Sequence, residues 1–136
     1  MTEAISLFSC FNKSCYTIWD SDYKEGRSER PSIQANRNIL NCYECTPEDY
    51  PDISTAEFTC VHKDLENTIR SDFGDGNFDK VLFRYCSDRE LGKGKYVLEN
   101  SMHVKNILNG LYNEGLTSPT LENIVSRIME KYYSIE

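Results

Sequence analysis

Near the end of the chain, hydrophobic residues recur at helical spacing. Four apolar residues fall at positions i, i+3, i+4 and i+7: Val104, Ile107, Leu108 and Leu111. This pattern predicts an amphipathic helix with Ser101 as its N-cap and Gly115 as its C-terminal stop. After Thr117-Ser118-Pro119, which suits a new helix start, a second apolar stripe covers three turns: Leu121, Ile124, Val125, Ile128, Met129 and Tyr132. Two C-terminal helices are therefore predicted.

A third helix is predicted near residues 62–73. Its apolar residues, Val61, Leu65, Ile69 and Phe73, recur every four positions. Asp64 and Glu66 would lie in its first turn, where negative charge is favourable, and Gly74 would end it.

The densest apolar run of the chain is Lys80–Cys86, which is rich in aromatic and branched side chains. We interpret it as the central strand of a sheet, paired with a second strand near residues 95–99 that contains the apolar run Tyr96–Leu98. In a strand, Val81, Phe83 and Tyr85 would share one face because side chains alternate.

Other segments also have the character of strands. Residues 4–10 and 16–19 predict a β-hairpin, and residues 38–45 and 58–61 predict two further strands. The polar stretch over residues 20–37 predicts a long loop, either mobile or functional.

The order of these elements predicts an α+β fold in a single globular domain over residues 1–136. We expect an antiparallel-dominated β-sheet packed against about three helices. The last two helices would form a C-terminal helical pair.

Charge narrows the function classes. The 136 residues include 22 acidic and 15 basic side chains, a formal net charge of −7. Phosphate binding requires clustered Lys and Arg, so we expect no nucleic-acid partner, whereas a basic protein would be attracted. No apolar run approaches the roughly 18 residues that span a bilayer, and no basic signal region opens the chain, so we expect a cytoplasmic protein without membrane contact. Its six cysteines would then be reduced thiols.

Cysteine spacing offers one metal-binding hypothesis. Cys42-Tyr43-Glu44-Cys45 is a CxxC pair, and Cys60-Val61-His62 follows it. Three thiolates and an imidazole can hold zinc in a tetrahedral arrangement. The second pair, however, has neither CxxC nor paired-histidine spacing, so we expect no cofactor. A small zinc-binding domain using Cys42, Cys45, Cys60 and His62 is the alternative.

A cysteine nucleophile activated by His62 or His103 would instead make the protein an enzyme. Such residues meet only in the folded chain, so sequence spacing does not decide the question. His103 falls early in a predicted helix, where a surface or packing role is usual. With no catalytic motif present, we expect no catalytic residues.

A run of acidic residues without any base extends from Glu44 to Glu57, with tyrosines interleaved and Pro47 and Pro51 holding it open. An acidic surface with aromatic side chains suits a basic protein, because the charges raise the association rate and the rings supply contact energy. The predicted partner-binding residues are Glu44, Glu48, Asp49, Tyr50, Asp52 and Glu57.

In size, acidity and predicted α+β pattern, the chain resembles the small acidic immunity proteins of bacterial toxin–immunity systems, such as contact-dependent inhibition. The resemblance implies a non-catalytic inhibitor that covers the active site or substrate groove of a basic, nuclease-type toxin. A viral or other protein-interaction module would share all of these features.

Overall fold

Helices dominate the chain. The computed structural model contains α1 (Thr2–Cys10), β1 (Thr17–Asp20), α2 (Arg30–Cys42), β2 (Ile53–Ser54), β3 (Phe58–Val61), α3 (Leu65–Asp72), α4 (Asn77–Asp88), α5 (Gly94–Leu98), α6 (Ser101–Asn113) and α7 (Pro119–Tyr133). The structure describes residues 1–11, 14–26, 30–74, 76–92 and 94–133. By their contacts the elements divide into two compact units, Met1–Thr68 with Glu122–Glu136, and Ile69–Leu121. The single-domain assignment stays a prediction.

The first unit contains a three-stranded mixed sheet in the order β1-β3-β2. β1 and β3 run parallel, with Thr17 opposite Phe58 and Asp20 opposite Val61. β2 runs antiparallel to β3, with Ile53 opposite Cys60. All four residues of β3 are buried, as suits a central strand. The short strand at 58–61 is thus confirmed, but the antiparallel-dominated sheet is wrong because the longer ladder is parallel.

The core of the first unit joins the sheet to α1 and α2. Its buried members are Ile5, Trp19, Ile39, Leu40, Phe58 and Cys60. The ring centroids of Trp19 and Tyr43 lie 5.2 Å and 4.8 Å from that of Phe58. Burying one large apolar side chain contributes roughly 1.5–3 kcal/mol, so this cluster holds α2 against the sheet.

The second unit packs α4, α5 and α6 around its own core. Its buried members are Phe73, Phe78, Val81, Tyr85, Cys86, Val97, Ile107 and Leu111. Gly110 lets α4 and α6 approach closely, since a Cβ there would lie 3.2 Å from Cγ1 of Val81. Asn100, whose side chain accepts a hydrogen bond from the Met102 N–H, caps α6 one residue before the predicted Ser101. Gly115, with φ of +77°, follows the helix end as predicted.

The start of α7 confirms the predicted capping hydroxyl. Oγ of Ser118 accepts the Leu121 N–H at 3.2 Å and donates to Oδ2 of Asp72 at 2.6 Å. The Thr120 N–H also donates to Oδ2 of Asp72, at 3.0 Å. Both predicted C-terminal helices are therefore present, although α6 belongs to the second unit and most of α7 to the first.

The central-strand prediction for Lys80–Cys86 is wrong, because these residues lie inside α4. The buried residues of this helix are Phe78, Val81, Tyr85 and Cys86, which is helical spacing, whereas Phe83 is 75% exposed. A short apolar run does not by itself distinguish a buried strand from a helix. The proposed partner strand at Tyr96–Leu98 is likewise helical and forms most of α5.

Two more predicted strands are helical. Residues 4–10 lie in α1, so the β-hairpin with residues 16–19 is wrong and β1 pairs with β3 instead. Most of the predicted strand 38–45 lies in α2, which buries Asn36, Ile39 and Leu40 at helical spacing. That helix begins at Arg30 and shortens the loop predicted over residues 20–37, of which 27–29 lie outside the described residues.

With seven helices among the described residues, the expectation of about three is also wrong, although an α+β class remains a fair description. No helix in the described ranges is long and apolar enough to cross a membrane.

Candidate functional site

Five carboxylates gather at one edge of the small sheet. Because β1 and β3 are parallel, their carboxyl ends share an edge, which places Asp20, Asp22 and Asp64 there. β2 runs the opposite way, so Asp52, just before it, reaches the same edge. Together with Glu48, on the connection between α2 and β2, these residues form what we call the acidic edge: Asp20, Asp22, Glu48, Asp52 and Asp64.

The negative potential of this edge acts on its own groups. The pKa of the Cys60 thiol is raised to about 12, first by burial and then by the charges of Asp52, Asp20, Asp22 and Glu48. The pKa of Asp20 is also raised, by burial and by Asp64 and Asp22, against the lowering effect of a hydrogen bond from Leu65. Among the described residues, Asp20, Asp22, Glu48 and Asp52 form no ion pair with Lys or Arg. Within the described ranges, no ion pair therefore neutralises their charge.

Two carboxylates of the acidic edge also cap α3. Oδ1 of Asp20 accepts the Leu65 N–H at 2.8 Å, and Oδ1 of Asp64 accepts the Asn67 N–H at 2.7 Å. Negative charge is stabilising at a helix N-terminus, where the first N–H groups lack partners. These bonds fix both side chains against the start of the helix.

Aromatic rings accompany the acidic edge. Tyr23 stacks on the His62 ring with centroids 4.4 Å apart and meets Tyr50 edge-on at 5.3 Å. Nδ1 of His62 lies 3.2 Å from the carbonyl oxygen of Tyr50. All three side chains are partly exposed, so the site combines carboxylates with half-buried rings.

A buried amide holds the acidic edge together. Oδ1 of Asn36 accepts from Nε1 of Trp19 at 3.1 Å. Nδ2 of Asn36 donates to the carbonyl oxygens of Ser21 at 2.9 Å and Asp49 at 2.8 Å. Buried polar groups are stable when paired in this way. One side chain of α2 thereby connects the two chain segments that carry Asp22 and Glu48.

The six residues predicted to bind a partner lie in two different places in the first unit. Glu48, Tyr50 and Asp52 lie at the acidic edge. Asp49 adjoins them, but its Oδ1 lies 2.6 Å from Nη2 of Arg37, so that its charge is compensated. Glu44 and Glu57 are elsewhere in the first unit, in a polar groove of about 330 Å³.

That groove is lined by Ile5, Ser14, Cys15, Cys42, Tyr43, Glu44, Glu57 and Lys131. Burial raises the pKa of Tyr43, with further contributions from the Cys15 thiol and Glu57, against a lowering hydrogen bond from Thr17. The ammonium of Lys131 shares the groove with the two glutamates, so the local charge is mixed.

Sequence analysis missed Asp20, Asp22, Asp64 and Tyr23 as members of this site. Asp20 ends β1, Asp22 and Tyr23 follow it within three residues, and Asp64 lies three residues after β3. The two groups are more than 40 positions apart in the chain, and the hydrogen bond from Leu65 to Asp20 joins residues 45 positions apart. Recognising that two short strands run parallel would have identified them, because residues after parallel strands meet at one edge.

The four proposed zinc ligands do not converge. Cys60 is buried in β3 with a raised pKa, which opposes the thiolate that zinc requires. Cys42 is exposed at the end of α2, and its thiol donates to the Asn38 carbonyl oxygen at 3.3 Å. In the parts of the chain that the structure describes, no three His, Cys, Asp or Glu side chains are grouped to hold a metal ion.

Within the described part of the chain, both histidines contact tyrosines rather than a thiol. Nδ1 of His103 lies 2.8 Å from the Tyr85 hydroxyl, and His62 contacts Tyr23 and Tyr50. Carboxylates such as those of the acidic edge can bind Lys and Arg side chains by charge-assisted hydrogen bonds. No protein-family model matches the chain, and neither a curated protein nor a solved structure was found to be similar to it.

Proposed function

We propose that this is a non-catalytic protein-binding inhibitor that neutralises a basic, nuclease-type toxin, as an immunity protein does. The observation that carries the proposal is the acidic edge, where four carboxylates without Lys or Arg partners in the described structure come from two separate chain segments. A toxin that binds nucleic acid presents a basic groove, and this edge complements its charge.

Electrostatics supports fast and selective capture. A net charge of −7 repels nucleic acid and attracts a basic protein from a distance. Complementary charge can raise association rate constants from about 10⁵–10⁶ to 10⁸–10⁹ M⁻¹s⁻¹ at low salt. Inhibition then follows from occlusion, because the bound edge covers the surface that the substrate phosphates would occupy.

Tyr23 and Tyr50 would supply the contact energy that charge alone does not provide. Tyrosine is enriched among interface residues that dominate affinity. Their mutual edge-on contact and the His62 stack hold both rings in place before binding, which reduces the entropy lost on association. The proposed location is the cytoplasm, where such an inhibitor would meet its toxin and its cysteines would stay reduced.

The test uses matched charge reversals. The binding partner is the basic toxin encoded beside this protein, and stopped-flow association is measured at about 0.05 and 0.5 M salt. Glu48→Lys with Asp52→Lys should slow association by about tenfold or more, and salt should slow the wild type. Glu44→Lys with Glu57→Lys alters net charge equally but lies in the groove, and should have a much smaller effect.

Equal losses from both pairs of reversals would contradict the assignment of the acidic edge. Absence of binding, or binding that leaves nuclease activity intact, would contradict inhibition by occlusion. The zinc-binding alternative is decided separately by metal analysis of protein purified without chelator, where less than about half an equivalent of zinc would remove it.

A further inference from the structure

α1 packs against the first unit through one side of its apolar face, and the other apolar side chains of that face are exposed to solvent. Ile5 is the buried residue of this helix, at 6% exposure. The neighbouring apolar residues are exposed: Met1 at 60%, Leu7 at 56%, Phe8 at 47% and Phe11 at 68%. Ala4, Leu7, Phe8 and Phe11 follow the i, i+3, i+4, i+7 spacing of one helix face, and Met1 lies three positions before Ala4. We call Met1, Ala4, Leu7, Phe8 and Phe11 the α1 stripe.

The side chains of the α1 stripe carry no charge. In residues 1–11 the one charged side chain is Glu3, which lies four positions before Leu7 and therefore borders the stripe. Helices that lie on membrane surfaces combine an apolar face with Lys and Arg on the polar face. This helix has an apolar face but neither Lys nor Arg, and the chain as a whole is acidic. The α1 stripe is therefore poorly suited to a lipid surface.

We propose that the α1 stripe is the interface of a symmetric dimer, with a second copy of this chain as its occupant. In a two-fold interface the same patch meets itself, so it must be self-complementary. An apolar stripe without charged side chains meets this condition, whereas the acidic edge would repel its own copy. Pairing α1 with α1 therefore buries the apolar stripes and leaves Glu3 at the rim of the interface.

The available area sets the strength of this dimer. At about 200 Å² for each large side chain, the exposed fractions of the stripe amount to roughly 450 Å² per copy. Two copies would bury roughly 900 Å², below the approximately 1,200 Å² at which specific stable interfaces begin. We therefore expect a weak, concentration-dependent dimer with a micromolar or weaker dissociation constant.

Sedimentation velocity from about 1 µM to about 500 µM tests the proposal. The wild-type mass should rise from 15.8 kDa toward twice that value. Phe8→Glu with Phe11→Glu should remain monomeric throughout. Ala4→Glu, which adds a charge to the stripe without removing a large ring, should also weaken the dimer at least tenfold. Phe83→Glu replaces an equally exposed phenylalanine in α4 and should dimerise as the wild type does.

Circular dichroism of each variant is the control, and it should show that the helices are retained. A wild type that stays monomeric at the highest concentration would overturn the proposal, as would growth into oligomers larger than a dimer. Loss of the dimer in Phe83→Glu but not in Ala4→Glu would place the interface elsewhere. Binding to neutral phosphatidylcholine vesicles without self-association would assign the stripe to a lipid surface instead.

Discussion

The side-chain amide of Asn36 donates a 2.8 Å hydrogen bond to the carbonyl oxygen of Asp49. The same side chain accepts a hydrogen bond from Trp19 and donates another to the carbonyl oxygen of Ser21. Its three hydrogen bonds therefore join α2 to two other segments of the first unit. The acidic edge depends on this one residue of α2 for its shape.

Asn36→Ala should destabilise the protein by about 2–3 kcal/mol, because it leaves a buried indole N–H and two carbonyl oxygens without partners. Urea unfolding measures the change. Asn38→Ala, at an exposed position of the same helix, is the control and should cost well under about 1 kcal/mol. Similar losses for the two variants would mean that Asn36 does not hold these segments.

A pair of substitutions in α4 distinguishes the helix from the strand that composition favoured. Val81 is buried and Phe83 is largely exposed. Val81→Ala should cost about 2 kcal/mol, and Phe83→Ala should fall within about 0.5 kcal/mol of the wild type. In a strand the two side chains would share a face, so comparable losses in thermal or urea unfolding would contradict the helix.

Val81 and Phe83 also illustrate which elements the sequence pattern predicts correctly and which it does not. The periodic apolar stripes of α6 and α7 extend over several turns and predicted both helices. Lys80–Cys86 spans too few residues to show a clear helical period, and its aromatic and branched side chains favour a strand. For this reason the sequence predicts a strand where the structure has a helix. The acidic edge escaped prediction because it depends on the parallel pairing of β1 with β3. Likewise, the neutralisation of Asp49 by Arg37 depends on a contact across twelve residues.

The cap on α7 should make stability depend on pH in the acid range. Although burial raises the pKa of Asp72, hydrogen bonds from Ser118 and Thr120 outweigh it, and the net pKa is lowered. A folded pKa below the unfolded value gives stability that is present above the unfolded pKa and lost as pH falls through the folded pKa. Asp72→Asn should therefore be less stable than the wild type near pH 7.

That deficit should begin to shrink below about pH 4, where the unfolded chain takes up its proton, and should be lost once the pH falls below the lowered pKa of the folded Asp72 carboxyl. Unfolding curves of both proteins over the acid range measure it. Asp88→Asn, at an exposed position of α4, removes a carboxylate without touching this cap and serves as the control. A deficit for Asp72→Asn that is constant with pH would rule out a role for the charge.

Thiol chemistry should separate Cys42 from Cys60. The pKa of Cys60 is raised to about 12, and its side chain is buried, so it should resist Ellman's reagent at about pH 8 until the protein unfolds. Exposed Cys42 should react readily under the same conditions. Comparing the wild type with Cys60→Ala and Cys42→Ala assigns the reactive thiols, and rapid native labelling lost in Cys60→Ala would contradict its burial.

The raised pKa of Cys60 also predicts how the stability of the protein changes at alkaline pH. A folded pKa above the ordinary value of 9.0 contributes stability that is complete below the unfolded pKa and is lost as pH rises toward about 12. Cys60→Ala should lack this part of the alkaline decline. Identical declines above about pH 9 would show that another group causes it.

The parallel pairing of β1 with β3 also bears on how quickly the chain folds. The Tyr16 hydroxyl meets Oγ1 of Thr59 across 43 residues, whereas each helix forms from neighbours in the chain. Loop closure over such a separation loses entropy before any contact compensates it, which slows folding. We expect the helices to appear first in stopped-flow circular dichroism, and fluorescence of Trp19 in β1 to follow. The acidic edge would then be the last surface of the first unit to acquire its binding geometry, so a newly made chain would capture its partner only after this ladder closes.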